Sequence, residues 1–399
     1  MHMVNATTLR GVHDRQDKNK AHGVDEVTKA EYEENIDENL ENLMARMKQF
    51  SYRPLPVRRA YIPKDGSDKM RPLGVPAYED KLVQGAMADI LSAIYEPKFY
   101  DCSYGFRKGR SQHMALGALD GMLWKWTNWV VDADIAAFFD TVDHEWLMKF
   151  LEHDIEDKNF LRYVKRFLKA GVMESGEVYE TDEGVPQGGL ISPVLANVYL
   201  HYVVDMWFAK LVVKRSKGRA EMVRFADDVV FCFEDEGDAR GFYVALKERL
   251  EKFGLELSEE KSKIIKFGRE AGYDGGRFDF LGFTHFVGKS RKGKPCIRRT
   301  TSLKKLKAKR MAVRKWLREN MHAHIKTLVD GLNRKLRGHY NYYGISGNYR
   351  AMSSFRWYAT GRLKAVLDRR GASKKISQEL FDKLLEAYPV VAPKIVHRV

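Results

Sequence analysis

The chain has 399 residues, 44% of them apolar and 31% charged, enough for two or three packed domains around a full hydrophobic core. That balance excludes a disordered chain, and the scattered Cys102, Cys232 and Cys296 exclude a disulfide framework or zinc knuckle and suit a reducing, cytoplasmic setting. The formal charge of +15 points to a polyanionic partner, nucleic acid before an acidic membrane.

In chain order, the residues before Gly23 are polar and lack the apolar core of a signal peptide. Lys29–Gln49 predicts a helix, with Ile36, Leu40, Leu43, Met44 and Met47 at helical spacing. Tyr52–Pro76, rich in Pro and Gly, reads as strand–loop–strand around Lys64–Lys69. Asp80–Tyr95 returns to helical periodicity, Trp129–Ile135 is a short β-prone run ending in acids, and His144–Leu168 is mostly helical. Gly184–Gly189 is a tight loop before a long helix from about Ser192. The apolar stretch Val194–Val213 is interrupted by His201, Asp205 and Lys210, a poor membrane span. Met222–Phe233 reads as strand, two acids, strand; Gly237–Phe253 is helical; Leu255–Phe267 and Arg277–Phe286 offer further strands. From about Ser302 the pattern is helical, with a Gly/Asn/Tyr-rich break at Gly338–Asn348.

The positive charge is concentrated. Phe283–Arg370 holds 24 Lys and Arg against 3 Asp and Glu, a net of +21, which leaves −6 on the rest of the chain. Aromatic residues are interleaved there: Trp316, Tyr340, Tyr342, Tyr343, Tyr349, Phe355, Trp357 and Tyr358. Cations for phosphates with rings for bases or sugars is a nucleic-acid composition.

Two acidic clusters lie directly beside β-prone runs, at Asp132-Ala133-Asp134 and at Ala226-Asp227-Asp228. A carboxylate is costly to desolvate, so such acids need a turn to water or a cation. The second cluster reads as a hairpin tip whose acids point off the end of a sheet. Three carboxylates from two strands could recruit Mg²⁺, which combines one or two carboxylates with substrate phosphates. In a two-metal site one ion activates an attacking 3′-oxygen and the other steadies leaving pyrophosphate. The sequence thus permits nucleotidyl transfer at Asp134 and Asp227, with Asp228 beside them.

Phe225-Ala226-Asp227-Asp228 resembles the (Y/F)xDD box of reverse transcriptases. Gly184-Val185-Pro186-Gln187-Gly188-Gly189-Leu190-Ile191-Ser192-Pro193, Asp132–Asp140, Ile62-Pro63-Lys64 with Met70–Pro76, Ser103–Arg107 and Phe280–Phe283 resemble further boxes of that family, in its order, over roughly residues 20–285. Leu336-Arg337-Gly338-His339-Tyr340-Asn341-Tyr342-Tyr343-Gly344 is similar to the thumb and maturase region of group II intron-encoded proteins. The whole chain resembles a bacterial group II intron reverse transcriptase/maturase.

The resemblance implies an α/β right-hand polymerase, with fingers and palm over 1–285 and an α-helical thumb/maturase domain over 286–399. It implies Asp134, Asp227 and Asp228 as catalytic acids, with Asp134, Asp227 and the Ile135 carbonyl as metal ligands for Mg²⁺, or Mn²⁺ in its place. Lys64 and Arg71 would clamp the dNTP triphosphate. Phe139 would lie below the sugar and exclude a 2′-hydroxyl, with Phe138 competing for that role. Gln187 would lie against the nascent pair. Lys304, Lys305, Arg310, Arg314, Arg337 and Tyr342 are the candidate RNA contacts.

The implied partners are group II intron RNA, an RNA or DNA template with primer, dNTPs and target DNA, with no membrane. Asp132 shares a strand face with Asp134 and could support it. No HNH-like Cys/His arrangement is present, so no C-terminal endonuclease domain is expected. The expected function is an RNA-directed DNA polymerase that also assists intron splicing and mobility. A domesticated reverse transcriptase in DNA repair or phage defence, or a splicing-only RNA-binding maturase, are the alternatives.

Overall fold

The β-prone runs on either side of Ala226-Asp227 build the sheet at the centre of the first part of the chain. The computed structural model describes residues 1–63, 70–268, 271–272, 275–290, 292–370 and 375–398. They fall into two compact units, one from the described residues of 1–115 and 129–264, the other from those of 116–128 and 265–398. The strands are β1 (Val57–Pro63), β2 (Met70–Val75), β3 (Trp129–Asp134), β4 (Val172–Glu174), β5 (Glu177–Tyr179), β6 (Ala220–Phe225), β7 (Asp228–Phe233), β8 (Lys263–Lys266), β9 (Phe278–Phe280), β10 (Phe283–Lys289) and β11 (Pro295–Thr301).

The central sheet has the order β6-β7-β3-β8. β3 runs antiparallel to β7 from Trp129↔Phe233 to Asp134↔Asp228, and β6 pairs with β7 up to Phe225↔Asp228. Phe231 and Phe233 are buried under the helix Glu236–Lys252, whose Phe242 ring lies 4.5 and 5.1 Å from theirs. A second sheet, β2-β1-β4-β5, includes both strands predicted around Lys64–Lys69, antiparallel from Arg58↔Val75 to Pro63↔Met70; the Lys64–Lys69 loop itself lies outside the described residues.

Several elements differ from the sequence reading. The expected helix over Lys29–Gln49 is two, Lys29–Glu34 and Ile36–Lys48, broken at Asn35. The polar N-terminus forms a helix, Ala6–Arg15, closed by a capping box in which Asn5 and Thr8 each accept the other's backbone N–H. Its Leu9 and Val12 are buried, and a Cβ on Gly85 of the helix Tyr78–Tyr95 would meet the Val12 side chain at 2.5 Å. The long helix from Ser192 becomes two π-helical stretches, His201–Asp205 and Phe208–Val212.

Asp80 is a buried carboxylate in this unit, accepting the Tyr52 hydroxyl and, at 3.0 Å, the Leu55 N–H. Burial pushes it up to about 7, against the pull of those hydrogen bonds. A folded pKa above the unfolded one means that the native chain keeps a proton the unfolded chain has released. The contribution of Asp80 to stability is therefore full below about pH 4 and falls as pH rises towards 7, by up to about 1.4 kcal/mol per pH unit. Asp80→Asn is expected to remove this slope. Urea midpoints of both chains at several pH values check it: parallel curves would refute the assignment.

In the second unit β9, β10 and β11 form an antiparallel sheet, followed by the helices Leu303–Glu319, Ile325–Tyr343, Tyr349–Asp368 and Gln378–Ala387. The predicted break is shorter than Gly338–Asn348, because the helix runs on to Tyr343. Asn348 fixes the break: its side chain donates to the Tyr343 carbonyl and accepts the Thr301 N–H, both at 2.9 Å. The division between the compact units falls after Ile264, and the β9–β11 sheet belongs with these helices.

His285 and His339 of the basic region are buried rings. His285 stacks on Phe278 at 4.9 Å, and burial, then Arg299, pushes it down to about 3. Burial, then Lys309, pushes His339 to about 4. Among the described residues no helix is long and apolar enough to cross a membrane.

Candidate active site

The register of three strands gathers the acids at one end of the central sheet. Asp134 ends β3 directly opposite Asp228, the first residue of β7, and Ala226-Asp227 form the tip of the β6–β7 hairpin. Ala226 sits at φ 57°, the left-handed region such two-residue tips require. Burial first, then the charge of Asp134, pushes the Asp227 carboxyl above the ordinary carboxylate range, while Arg71 and Arg224 pull it down. That Asp227 feels both Asp134 and Arg71 joins three of the predicted residues in one electrostatic field.

Asp134 is braced from both sides. Its N–H donates to Ser262 Oγ at 3.1 Å, its carbonyl accepts the Ser258 N–H at 2.8 Å, and Lys261 Nζ donates to Oδ2 at 2.7 Å. Ile135 bridges to Leu257 just beyond. The sequence reading passed over Ser258, Lys261 and Ser262 by taking Leu255–Phe267 as plain strand. The signal available was a Ser-x-x-Lys-Ser run in which apolar alternation fails.

The hairpin tip is held from behind by a buried network. Arg224 is 1% exposed and its partner Asp205 0%. Arg224 Nε donates to Asp205 Oδ1 at 2.7 Å and Nη2 to Oδ2, while Nη1 donates to Asn197 Oδ1 and to the Ala226 carbonyl, both at 3.0 Å. Asn197 Nδ2 in turn donates to the Gly105 carbonyl at 2.7 Å. Gly105 is required there, because a Cβ would meet the Ala226 nitrogen at 2.3 Å.

The remaining predicted residues of this unit lie as follows. Arg71 is exposed on β2. Phe138 is buried in the core and Phe139 half-buried, their rings 5.3 Å apart, so only Phe139 offers a surface. The Phe139 carbonyl accepts the Val185 N–H at 2.7 Å, and the Gln187 carbonyl accepts the Gly74 N–H at 2.6 Å. The Gly184–Gly189 loop is thereby tied to both Phe139 and β2. Lys64 lies outside the described residues.

Among the described residues no three His, Cys, Asp or Glu side chains converge as a metal group. The candidate set is instead two carboxylates, Asp134 and Asp227, and the Ile135 carbonyl. Hard oxygen donors of this kind fit a divalent cation that shares its coordination with substrate phosphates.

The family model for reverse transcriptase (RNA-dependent DNA polymerase) matches residues 62–285, more than half of the chain. The chain belongs to the reverse transcriptase family. Residues 304–383 match the group II intron maturase-specific domain. This reverse transcriptase is 41% identical over 187 residues to the group II intron-encoded protein LtrA of Lactococcus lactis subsp. cremoris, covering 47% of this chain and 31% of that protein. It is 36% identical over 230 residues to protein YkfC of Escherichia coli, covering 53% of this chain and 60% of that one. The chain thus spans less than two thirds of either relative. Among solved structures, telomerase from Candida albicans has a similar fold, with a TM-score of 0.50 at 12% identity over 90% of this chain and 66% of that one.

The maturase-like segment of this reverse transcriptase exposes three of the six candidate RNA contacts. Lys304, Arg314 and Arg337 are exposed. Lys305 is half-buried, and Arg310 is turned inward, donating to Ser354 Oγ at 2.7 Å. Tyr342 is half-buried and uses its hydroxyl internally, donating to the Leu281 carbonyl at 3.0 Å.

Proposed function

We propose that this chain is the RNA-directed DNA polymerase of a group II intron, and that its basic second unit binds intron RNA to assist splicing and mobility. The observation that carries the reading is that the end of β3, with Asp134, lies beside the hairpin tip that carries Asp227, in a chain of this family that also carries a maturase-specific segment. Asp134, Asp227 and the Ile135 carbonyl would hold Mg²⁺, with Asp228 in support. Divalent ions bound there lower the charge barrier to attack of a primer 3′-oxygen on the dNTP α-phosphate and favour loss of pyrophosphate.

The chain's own residues do the rest. Arg71 grips the triphosphate, together with Lys64. Lys261, 63% exposed on a long stem, can swing away from Asp134 when a stronger cation arrives. Phe139 closes the floor beneath the sugar, and the tied Gly184–Gly189 loop holds Gln187 against the new pair. The partners are intron RNA, template with primer, dNTPs and target DNA.

Purified chain, primed RNA template, dNTPs and Mg²⁺ test the reading. DNA synthesis is expected, together with RNA affinity that falls steeply as salt rises, because cations displace counterions from phosphates. RNA affinity unchanged between low and moderate salt would refute the phosphate-gripping role. Intron splicing without any dNTP incorporation in Mg²⁺ or Mn²⁺ would favour the splicing-only alternative.

A further inference from the structure

The second unit sorts the rings of the basic region by use. Tyr340, Tyr343 and Phe355 are buried. A Cβ on Gly331 would meet the Trp316 ring at 2.5 Å, and the Arg310 guanidinium lies 5.3 Å from the centre of the Tyr358 ring. Each of these rings has a packing role. Trp357 is 79% exposed in the middle of the helix Tyr349–Asp368, whose core face is carried by Met352, Phe355, Ala359, Leu363 and Val366.

The surroundings of Trp357 are small and cationic. Neighbours on a helix surface stand three and four residues away, and here they are Ser353, Ser354, Thr360 and Gly361. None can lie across the indole. A Cβ on Gly361 would meet nothing within 4 Å, so the space one turn beyond the ring is open. Arg310 of the helix Leu303–Glu319 is bonded to Ser354, one turn before the ring, and Lys307 and Arg314, one turn to either side of Arg310, are exposed. Arg350, seven residues before Trp357 on the same helix, is exposed as well. An open aromatic face with exposed cations on its own helix and on the helix bonded to it is complementary to a base and its flanking phosphates.

We propose that Trp357 is a stacking platform for an unpaired base of the bound RNA, with Lys307, Arg314 and Arg350 gripping the phosphates around it. The base is unpaired because bases inside a duplex have both faces covered, whereas loops, bulges and ends leave a face free. This rests on the reading of the chain as an RNA-binding protein.

The test uses the full chain with two probes of about 20 nucleotides, an unstructured single-stranded RNA and a blunt RNA duplex. Trp357→Ala is expected to weaken single-strand binding by about 5- to 150-fold, the loss expected of one base stack. Duplex affinity and the salt slope should stay unchanged, because no cation is lost. Trp357→Phe should restore most of the affinity. Gly361→Gln, which favours the helix but places a long side chain beside the ring, should also weaken single-strand binding, so that a loss of folding cannot mimic the result. If the wild type binds RNA and Trp357→Ala binds the single strand equally well, or loses both probes equally, the stacking role is overturned. A wild type that binds neither probe overturns the underlying RNA-binding reading and the stacking role with it.

Discussion

Asp227→Asn is expected to reduce primer extension by about a thousandfold or more, while RNA affinity stays within about twofold of wild type. The substitution keeps size and shape and removes one charge at the hairpin tip. The chemistry suffers because a neutral amide is a poor ligand for a hard dication. RNA binding is spared because the cations that would grip RNA stand on the second unit. Burial and Asp134 both oppose ionisation of Asp227, so this substitution also relieves a folding cost. The melting temperature should hold or rise slightly, which separates lost chemistry from lost structure. The raised carboxyl adds a pH signature. As pH falls, Asp227 takes up a proton before an ordinary carboxylate would, so half-maximal synthesis should require more Mg²⁺ in mild acid. Titration of Mg²⁺ at two pH values measures this. A variant that extends primers at the wild-type rate would remove Asp227 from the reaction.

The sequence made the hairpin legible because its signals agree: β-prone apolar runs on both sides of two acids predict strand, turn, strand, and β6 and β7 pair in that way. Asp134 was legible for the same reason, at the end of a β-prone run. What supports these acids was not. The brace from Ser258, Lys261 and Ser262 comes from an irregular segment, and long-range contacts of irregular backbone leave no periodicity to read. The N-terminal helix was missed because its sequence is polar and its stability comes from burying Leu9 and Val12, Val12 against Gly85, and from its capping box. The basic region shows the opposite error. Its composition suggested many rings for nucleic acid, but most of them are spent on packing. Asp205 was visible only as an acid interrupting an apolar stretch. Its partner Arg224 lies nineteen positions later in an apolar strand, and nothing local joins the two.

Arg224→Met is expected to destabilise the first unit by about 3–5 kcal/mol, because it leaves Asp205 charged and alone in the core. Asp205→Leu should cost a similar amount. The double variant Asp205→Leu/Arg224→Met, which removes both charges, should recover part of the loss, since a buried pair replaced by apolar residues is often neutral while the Asn197 and Ala226 oxygens still lose their donor. Activity should not recover with it. Arg224 Nη1 donates to the Ala226 carbonyl, and the same nitrogen holds Asn197, whose amide holds Gly105 against the Ala226 nitrogen. Without the guanidinium the left-handed Ala226 loses its anchor, and with it the tip that carries Asp227. Small displacements of reacting groups cost rate far more than they cost binding. The double variant should therefore be more stable than either single variant, keep its KM for dNTP, and show kcat lowered by about tenfold or more. Chemical denaturation and steady-state primer extension on the four chains of the cycle measure both quantities. If the double variant regained kcat along with stability, Arg224 would serve the core alone; if it regained stability only, the buried pair exists to aim the catalytic turn.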